Sequence, residues 1–224
     1  MSVAAKPQRR YAGRNVPREA PENSGGWSLE WTYFAFILIV WCFSPLLRRV
    51  IDWRLGGFNA TSPISLLPFV VDLPLALVCF RRERLARMTP AFKICLAVWL
   101  AVFAYGFLVA AFFENTSAGA FSLVQYLVPV IPGIWLAGQE ISSAACLRRL
   151  VAVAVPIGAI VAVYGLFQYV APASWDVLWI EGSQFTSAGL PVPFGLRIFS
   201  TLNSPGPAAN FFELFFCSPC RACV

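Results

Sequence analysis

Apolar positions along this chain fall into long unbroken runs instead of alternating with polar ones. A hydrocarbon slab about 30 Å thick needs about 20 apolar residues in a helix. Five stretches approach or reach that length: Trp31 to about Leu47, Pro63 to Phe80 with Asp72 inside it, Ala91 to Phe113, Ala118 to Ala137, and Leu150 to Val170. A further apolar stretch starts at Ala208 and gives way to Cys, Ser, Pro, Arg and Ala after Phe216. The pattern predicts an all-α, polytopic transmembrane protein with five spans, a partial sixth over 208–216, and one long loop over 171–207. Residues 1–26 are rich in Pro, Gly, Ser and charge without periodicity and read as a disordered tail. No short apolar region with a small-residue cleavage site follows that basic segment, so the first span reads as a signal anchor.

Composition agrees with this pattern. Hydrophobic residues make up 58% of the chain and charged residues 12%, against roughly 25% charged in ordinary soluble domains. The distribution of Lys and Arg sets an orientation, because basic residues in short loops stay cytoplasmic. With the N-terminus inside, twelve fall on the cytoplasmic side: five in the tail, four over Arg81–Arg87, then Lys93, Arg148 and Arg149. Four fall outside: Arg48, Arg49, Arg54 and Arg197. The long loop is therefore expected outside the cytoplasm, although Arg48 and Arg49, directly after the first span, locally favour the opposite hand. The net charge of +6 is spread over loop ends without a cluster or aromatic platform, which argues for topology determinants and attraction to anionic lipid and against a nucleic-acid partner.

Several features admit a structural or a functional reading. Pro129 and Pro132 should kink or break the fourth span, as a plain bend or as the wall of a site. Asp72 is an ionisable group inside a span, yet Pro68 and Pro74 flank it, so a distorted and partly hydrated turn is expected. Ala154, Gly158 and Ala162 form a small-residue stripe suited to helix packing. Trp27, Trp31, Trp53, Trp175 and Trp179 stand at span ends, where an amphipathic ring suits the headgroup zone. Asn59-Ala-Thr61 and Asn115-Thr-Ser117 match a glycosylation tripeptide that matters only in a eukaryotic secretory pathway. Cys42, Cys79 and Cys95 read as small hydrophobes. Cys217-Ser-Pro-Cys220-Arg-Ala-Cys223 has ligand-like spacing, but a closed zinc site takes four ligands and the chain has no histidine, so no metal and no other cofactor is expected. Shifted by one nucleotide, the codons of Cys217–Cys220 give span-like residues. We expect a frameshift near Phe216, an aberrant tail over 217–224, and a truncated N-terminal part of a larger protein.

Chemistry is most legible in the loop 171–207, which combines Trp175-Asp176, Trp179 and Glu181 with Arg197, set among Phe194, Phe199, Ser200, Thr201 and Asn203. Arginine grips phosphate oxygens in two-point fashion, aromatic rings stack on sugar faces, and small polar groups bind hydroxyls. The alternative is an arginine that anchors the loop on Asp176 or Glu181.

Tyr164-Gly-Leu-Phe-Gln168-Tyr-Val, the outside loop, and Gly195-Leu-Arg197-Ile-Phe-Ser200-Thr-Leu-Asn203-Ser-Pro205 leading into the next span resemble the central part of the O-antigen ligase and polymerase-related membrane family. Trp41-Cys-Phe-Ser-Pro45, Arg48-Arg-Val-Ile-Asp52-Trp and Ser62-Pro-Ile-Ser-Leu-Leu-Pro68 are similar to a bacterial subgroup of it. The resemblance covers most of residues 30–212. It implies an inner-membrane protein of cell-surface polysaccharide assembly that transfers glycan from a polyprenyl-diphosphate carrier to an acceptor sugar, without metal or nucleotide. It further implies contact with membrane lipid and with other polysaccharide-assembly membrane proteins. Arg197 would hold the diphosphate as the catalytic residue, and Asp176, Ser200, Asn203 and Gln168 would bind substrate. Family members have more spans and a second, larger periplasmic loop, with a histidine there in the ligase branch, so this chain by itself is expected to be inactive. A non-enzymatic membrane protein, a transporter fragment or partner subunit with Asp72 and Gln125 facing a cavity, is the rival reading.

Overall fold

The computed structural model describes residues 27–59, 62–79, 81, 86, 88–113, 116–139, 141–184, 188–203 and 207–209. The tail 1–26, all but three residues of the partial sixth span and the Cys-rich end lie outside them. Among the described residues the architecture is helical: α1 (Leu29–Arg54), a 3-10 turn (Pro63–Leu66) running into α2 (Leu67–Cys79), α3 (Pro90–Phe112), α4 (Thr116–Leu127), α5 (Val130–Ala137), α6 (Ser143–Val170) and α7 (Ser174–Ser183). Four helices are long and apolar enough to cross a membrane: α1, α3, the broken helix α4–α5 and α6. The Pro63–Cys79 segment is a shorter apolar helix.

Local chemistry fixes the helix starts. Ser28, Thr89 and Ser142 cap α1, α3 and α6, each hydroxyl accepting from the N–H three residues on, at 3.4, 3.3 and 3.2 Å. Pro90 follows Thr89 at the first helical position, where a missing N–H costs nothing. The fourth apolar run breaks at Val128-Pro129, as its prolines predict; Pro132 instead sits in the first turn of α5, where its missing donor is tolerated.

One sequence expectation is corrected, and another is extended. The first apolar stretch, Trp31 to about Leu47, lies inside a longer helix that continues to Arg54. At 1.5 Å per residue its 26 residues extend about 39 Å, beyond a hydrocarbon layer of about 30 Å, and its last two turns carry Arg48, Arg49 and Asp52. Asp72 does not lie in a hydrated turn. It is a helical residue of α2, fully buried, and its Oδ2 accepts from Trp41 Nε1 at 3.0 Å.

Helix α1 is the hub. Its N-terminal half packs against α2 and α5 through Trp31, Phe34, Ile37, Leu75, Ile131 and Trp135. The Phe34 and Trp135 rings stack at 4.9 Å, Trp31 meets Trp135 edge-on at 5.0 Å, and Trp135 Nε1 donates to Glu30 at 3.2 Å. Such aromatic pairs contribute about 0.5–1.5 kcal/mol each beyond area burial. The middle of α1 meets α6 at Cys42, which packs on Val153, Ile157 and Val161. The contact face of α6 thus runs one position ahead of the small-residue stripe, of which Gly158 is buried. The C-terminal turns of α1 meet α7. Helices α3 and α4 pack on each other as a hairpin that meets the core through Phe92 and Leu96, and α3 has no buried residue.

Candidate functional site

Arg49 is the centre of the only fully buried ion pair among the described residues. One turn of α1 beyond Pro45, it is 1% exposed and its Nη1 meets Asp176 Oδ1 of α7 at 2.5 Å. Nη2 donates to the Ser200 carbonyl at 2.6 Å, Nε donates to the Pro45 carbonyl at 3.4 Å, and the guanidinium lies 4.8 Å over the Phe199 ring. The second Asp176 oxygen accepts from Tyr164 Oη of α6 at 2.8 Å, and that hydroxyl accepts from Trp175 Nε1 at 2.7 Å. One guanidinium therefore ties together the end of α1, the end of α6, α7 and the loop that follows. Burial pushes the Asp176 carboxyl above the usual carboxylate range, with the Arg49 charge the largest influence acting against it.

The loop 188–203 has its own small core, Ala188, Leu196 and Phe199 packed on Ile180 and Trp179 of α7. Gly189 and Leu196 form an antiparallel bridge, with Arg197 N–H donating to Ala188 O at 2.8 Å and Leu190 N–H to Gly195 O at 3.1 Å. Gly189 has φ +84°, and a Cβ there would stand 2.5 Å from the Gly195 carbonyl oxygen, so both conformation and space require glycine. The loop is sewn to α6 by Gln168, whose Oε1 accepts from the N–H groups of Phe199 at 3.1 Å and Ser200 at 2.9 Å. Ser200 holds φ +52°, an uncommon value for a non-glycine residue, and its hydroxyl donates to the Val161 carbonyl. Gly165 lets this loop approach α6: a Cβ there would lie 2.8 Å from Ile198 Cγ2.

Beside this latch Arg48 forms a second one. Its guanidinium stacks 4.7 Å over Trp179, donates to Asn59 O at 2.5 Å and faces Asp52 one turn on at 3.6 Å. Trp53 and Trp175 meet edge-on at 5.8 Å, and Phe58 and Trp179 at 5.1 Å. The crevice among Arg49, Asp52, Phe58, Trp175, Leu178 and Trp179 leaves no cavity volume, about 0 Å³, against the ~300–1,000 Å³ of ordinary ligand pockets.

The residues singled out in the sequence divide sharply. Asp176, Gln168 and Ser200 are 0% exposed and bonded to Arg49, Tyr164 and backbone. Arg197 and Asn203 are exposed. The Arg197 guanidinium has no hydrogen-bond or ion-pair partner among the described residues; the loop arginine anchors on neither Asp176 nor Glu181, and Arg49 occupies Asp176 instead. Leu190, Val192 and Phe194, in the same loop, are exposed at 69, 48 and 64%. Gln125 is exposed on α4. Sequence reasoning missed Arg48, Arg49 and Tyr164 as the frame of the site. The available signal was Arg48-Arg49 standing on the wrong side of the charge asymmetry, with Asp52 one helical turn away. Comparison of the chain with known protein families, curated proteins and solved structures finds no match.

Proposed function

We propose that this is an inner-membrane protein of cell-surface polysaccharide assembly that supplies a binding loop for a polyprenyl-diphosphate-linked glycan in the transfer of that glycan to an acceptor sugar, and that it is inactive in that transfer by itself. One observation carries the reading: an exposed, unpaired guanidinium, Arg197, on a loop held rigidly by buried bonds and carrying exposed Leu190, Val192 and Phe194. An amphiphile with an anionic diphosphate head and an isoprenoid tail matches that pairing of charge and apolar surface. Asn203, exposed in the same loop, is available to a sugar hydroxyl. Asp176 and Ser200 act as positioning residues because Arg49, Tyr164 and backbone hold their polar atoms, and Gln168 does so through its Oε1, which accepts from the loop backbone. The crevice beside Arg49 has no room for a sugar ring, so the ligand lies along the loop surface.

In the transfer, the acceptor hydroxyl oxygen bonds to the anomeric carbon as the bond from that carbon to the diphosphate oxygen breaks. The diphosphate leaves with the electron pair, Arg197 neutralises its growing charge, and the hydroxyl proton leaves to the departing phosphate or to water. The orientation follows from charge: Arg48 and Arg49 oppose a cytoplasmic N-terminus only if they are loop charges. Paired with Asp52 and Asp176 at the end of α1, they are part of the folded frame, which supports a periplasmic loop 171–207.

A photoreactive polyprenyl diphosphate supplied to the full chain in nanodiscs should cross-link to peptides within 188–203. Cross-links confined to other helices would remove the assignment. Asp72, a buried carboxylate within an apolar helix, favours the second reading, a non-enzymatic membrane subunit, and absence of any loop cross-link would turn attention to it.

A further inference from the structure

The loop that carries Arg197 ends in an apolar tip whose depth is fixed by two helices. Helix α6 has no charged residue from Leu150 to Val170, a run about 30 Å long at 1.5 Å per residue, which matches the hydrocarbon layer. With Arg148 and Arg149 at one boundary of that layer, Tyr169 stands at the other. Phe194 is fastened there: its N–H donates to the Tyr169 carbonyl at 2.9 Å, and its ring meets the Tyr169 ring edge-on at 5.4 Å. Helix α1 gives the same level. Its uncharged run ends at Leu47, and Arg49, just beyond, holds the Ser200 carbonyl of the loop at 2.6 Å.

Between the Gly189–Leu196 bridge that closes its neck, the tip reads Leu190-Pro191-Val192-Pro193-Phe194-Gly195, without a charge. Its backbone donors are all absent or bonded. Pro191 and Pro193 have no N–H; Leu190 donates to Gly195 O at 3.1 Å, Val192 to Leu190 O at 2.8 Å, Phe194 to Tyr169 O, and Gly195 to Val192 O at 3.0 Å. A turn in water needs no such closure, whereas a turn among acyl chains does, because nothing there can accept from a free N–H. Phe194 holds φ +62°, an outlier for so bulky a residue, and remains 64% exposed, as Leu190 and Val192 are exposed beside it.

We propose that this tip inserts into the bilayer, with Leu190, Val192 and Phe194 among the acyl chains at the headgroup boundary and Arg197, just past the neck, at the level of the phosphates. The partner is bilayer phospholipid, whatever its head group. Apolar surface rimmed by a basic residue and held at the end of a helix long enough to cross a membrane is the arrangement an interface takes up. Exposed Leu166 and Val170, on the turn of α6 that carries Tyr169, continue the same apolar surface. A second protein copy is the poorer match, since the tip is far smaller than the ~20–30 residues a side of a stable interface. Insertion needs α6 to span a membrane but needs no ligand, so it stands apart from the carrier assignment.

The test places the full chain in nanodiscs of phosphatidylcholine alone, free of any polyprenyl lipid. It is labelled in parallel by a phosphatidylcholine with an acyl-chain diazirine and by a charged, water-soluble diazirine, and the sites are read by peptide mass mapping. The tip, 190–195, should take the lipid label and be protected from the soluble one, while exposed Glu181 of α7 shows the reverse. Leu190→Asp/Val192→Asp should lose most of the lipid label at the tip and open it to the soluble probe. Lipid labelling of Leu166 and Val170 should stay as in the parent, which shows the fold intact. A tip labelled from water as strongly as Glu181, a tip reached by neither probe, or a double variant with the parent's pattern would each overturn the proposal. With no carrier present, each of these results leaves the pairing of Arg197 with a diphosphate to its own cross-linking test.

Discussion

At the scale of single residues, the site is governed by one arginine that no local pattern reveals. Arg49 reads in sequence as a loop charge, because its partner Asp176 lies 127 residues away; the five sequence-selected residues include that partner but not the guanidinium holding it. A buried pair broken on one side leaves a charge without compensation, which costs about 3–5 kcal/mol. Asp176→Ala should therefore lower the thermal midpoint in detergent sharply, while the double variant Arg49→Met/Asp176→Leu should recover much of the loss; a single variant that melts like the parent would contradict the latch. Gly165→Ala places a methyl 2.8 Å from Ile198 Cγ2 and 3.4 Å from Ser200 Cβ, an overpacking that costs about 1–3 kcal/mol. Its expected signature is proteolysis within 188–203 at concentrations of protease that spare the parent.

At the scale of elements, the apolar runs located the helices because length and hydropathy are local properties, and Pro129 placed the break between α4 and α5 for the same reason. The ends were less legible. Arg48, Arg49 and Asp52 look like the close of a span, yet Arg49 pairs with Asp176 across the fold and Arg48 faces Asp52 one turn on, and α1 runs on to Arg54. Asp72 was misplaced for the same cause: its donor, Trp41, comes from another helix. The bond clamps α1 to α2, and the other carboxyl oxygen, Oδ1, has no hydrogen-bond partner among the described residues. Trp41→Phe should destabilise by about 1–3 kcal/mol, the cost of stranding a buried polar group, and Trp41→Phe/Asp72→Leu should relieve part of it. Additive losses in that double-variant cycle would show that the two side chains do not interact.

At the scale of the whole molecule, α1 collects α2, α5, α6 and α7 around itself, while the α3–α4 hairpin touches that core through Phe92 and Leu96 and turns many of its apolar side chains outward. Lipid is the medium that such a surface requires. Cys95 of α3 is exposed, whereas Cys42 and Cys79 are buried; a lipid-soluble maleimide should label Cys95 in membranes and leave the other two unmodified until the protein is unfolded, as read by peptide mass mapping. The hub gives the Arg197 loop three rigid supports, and the central claim is that this frame presents one free guanidinium to a diphosphate lipid. That claim is tested most directly by titrating a polyprenyl diphosphate, with the monophosphate as comparison, against the full chain and its Arg197→Ala variant in nanodiscs. Loss of a charge-assisted bond worth about 1.5–3 kcal/mol predicts at least tenfold weaker binding of the diphosphate by the variant, with a smaller change for the monophosphate. Equal affinity of parent and variant for the diphosphate would contradict the account.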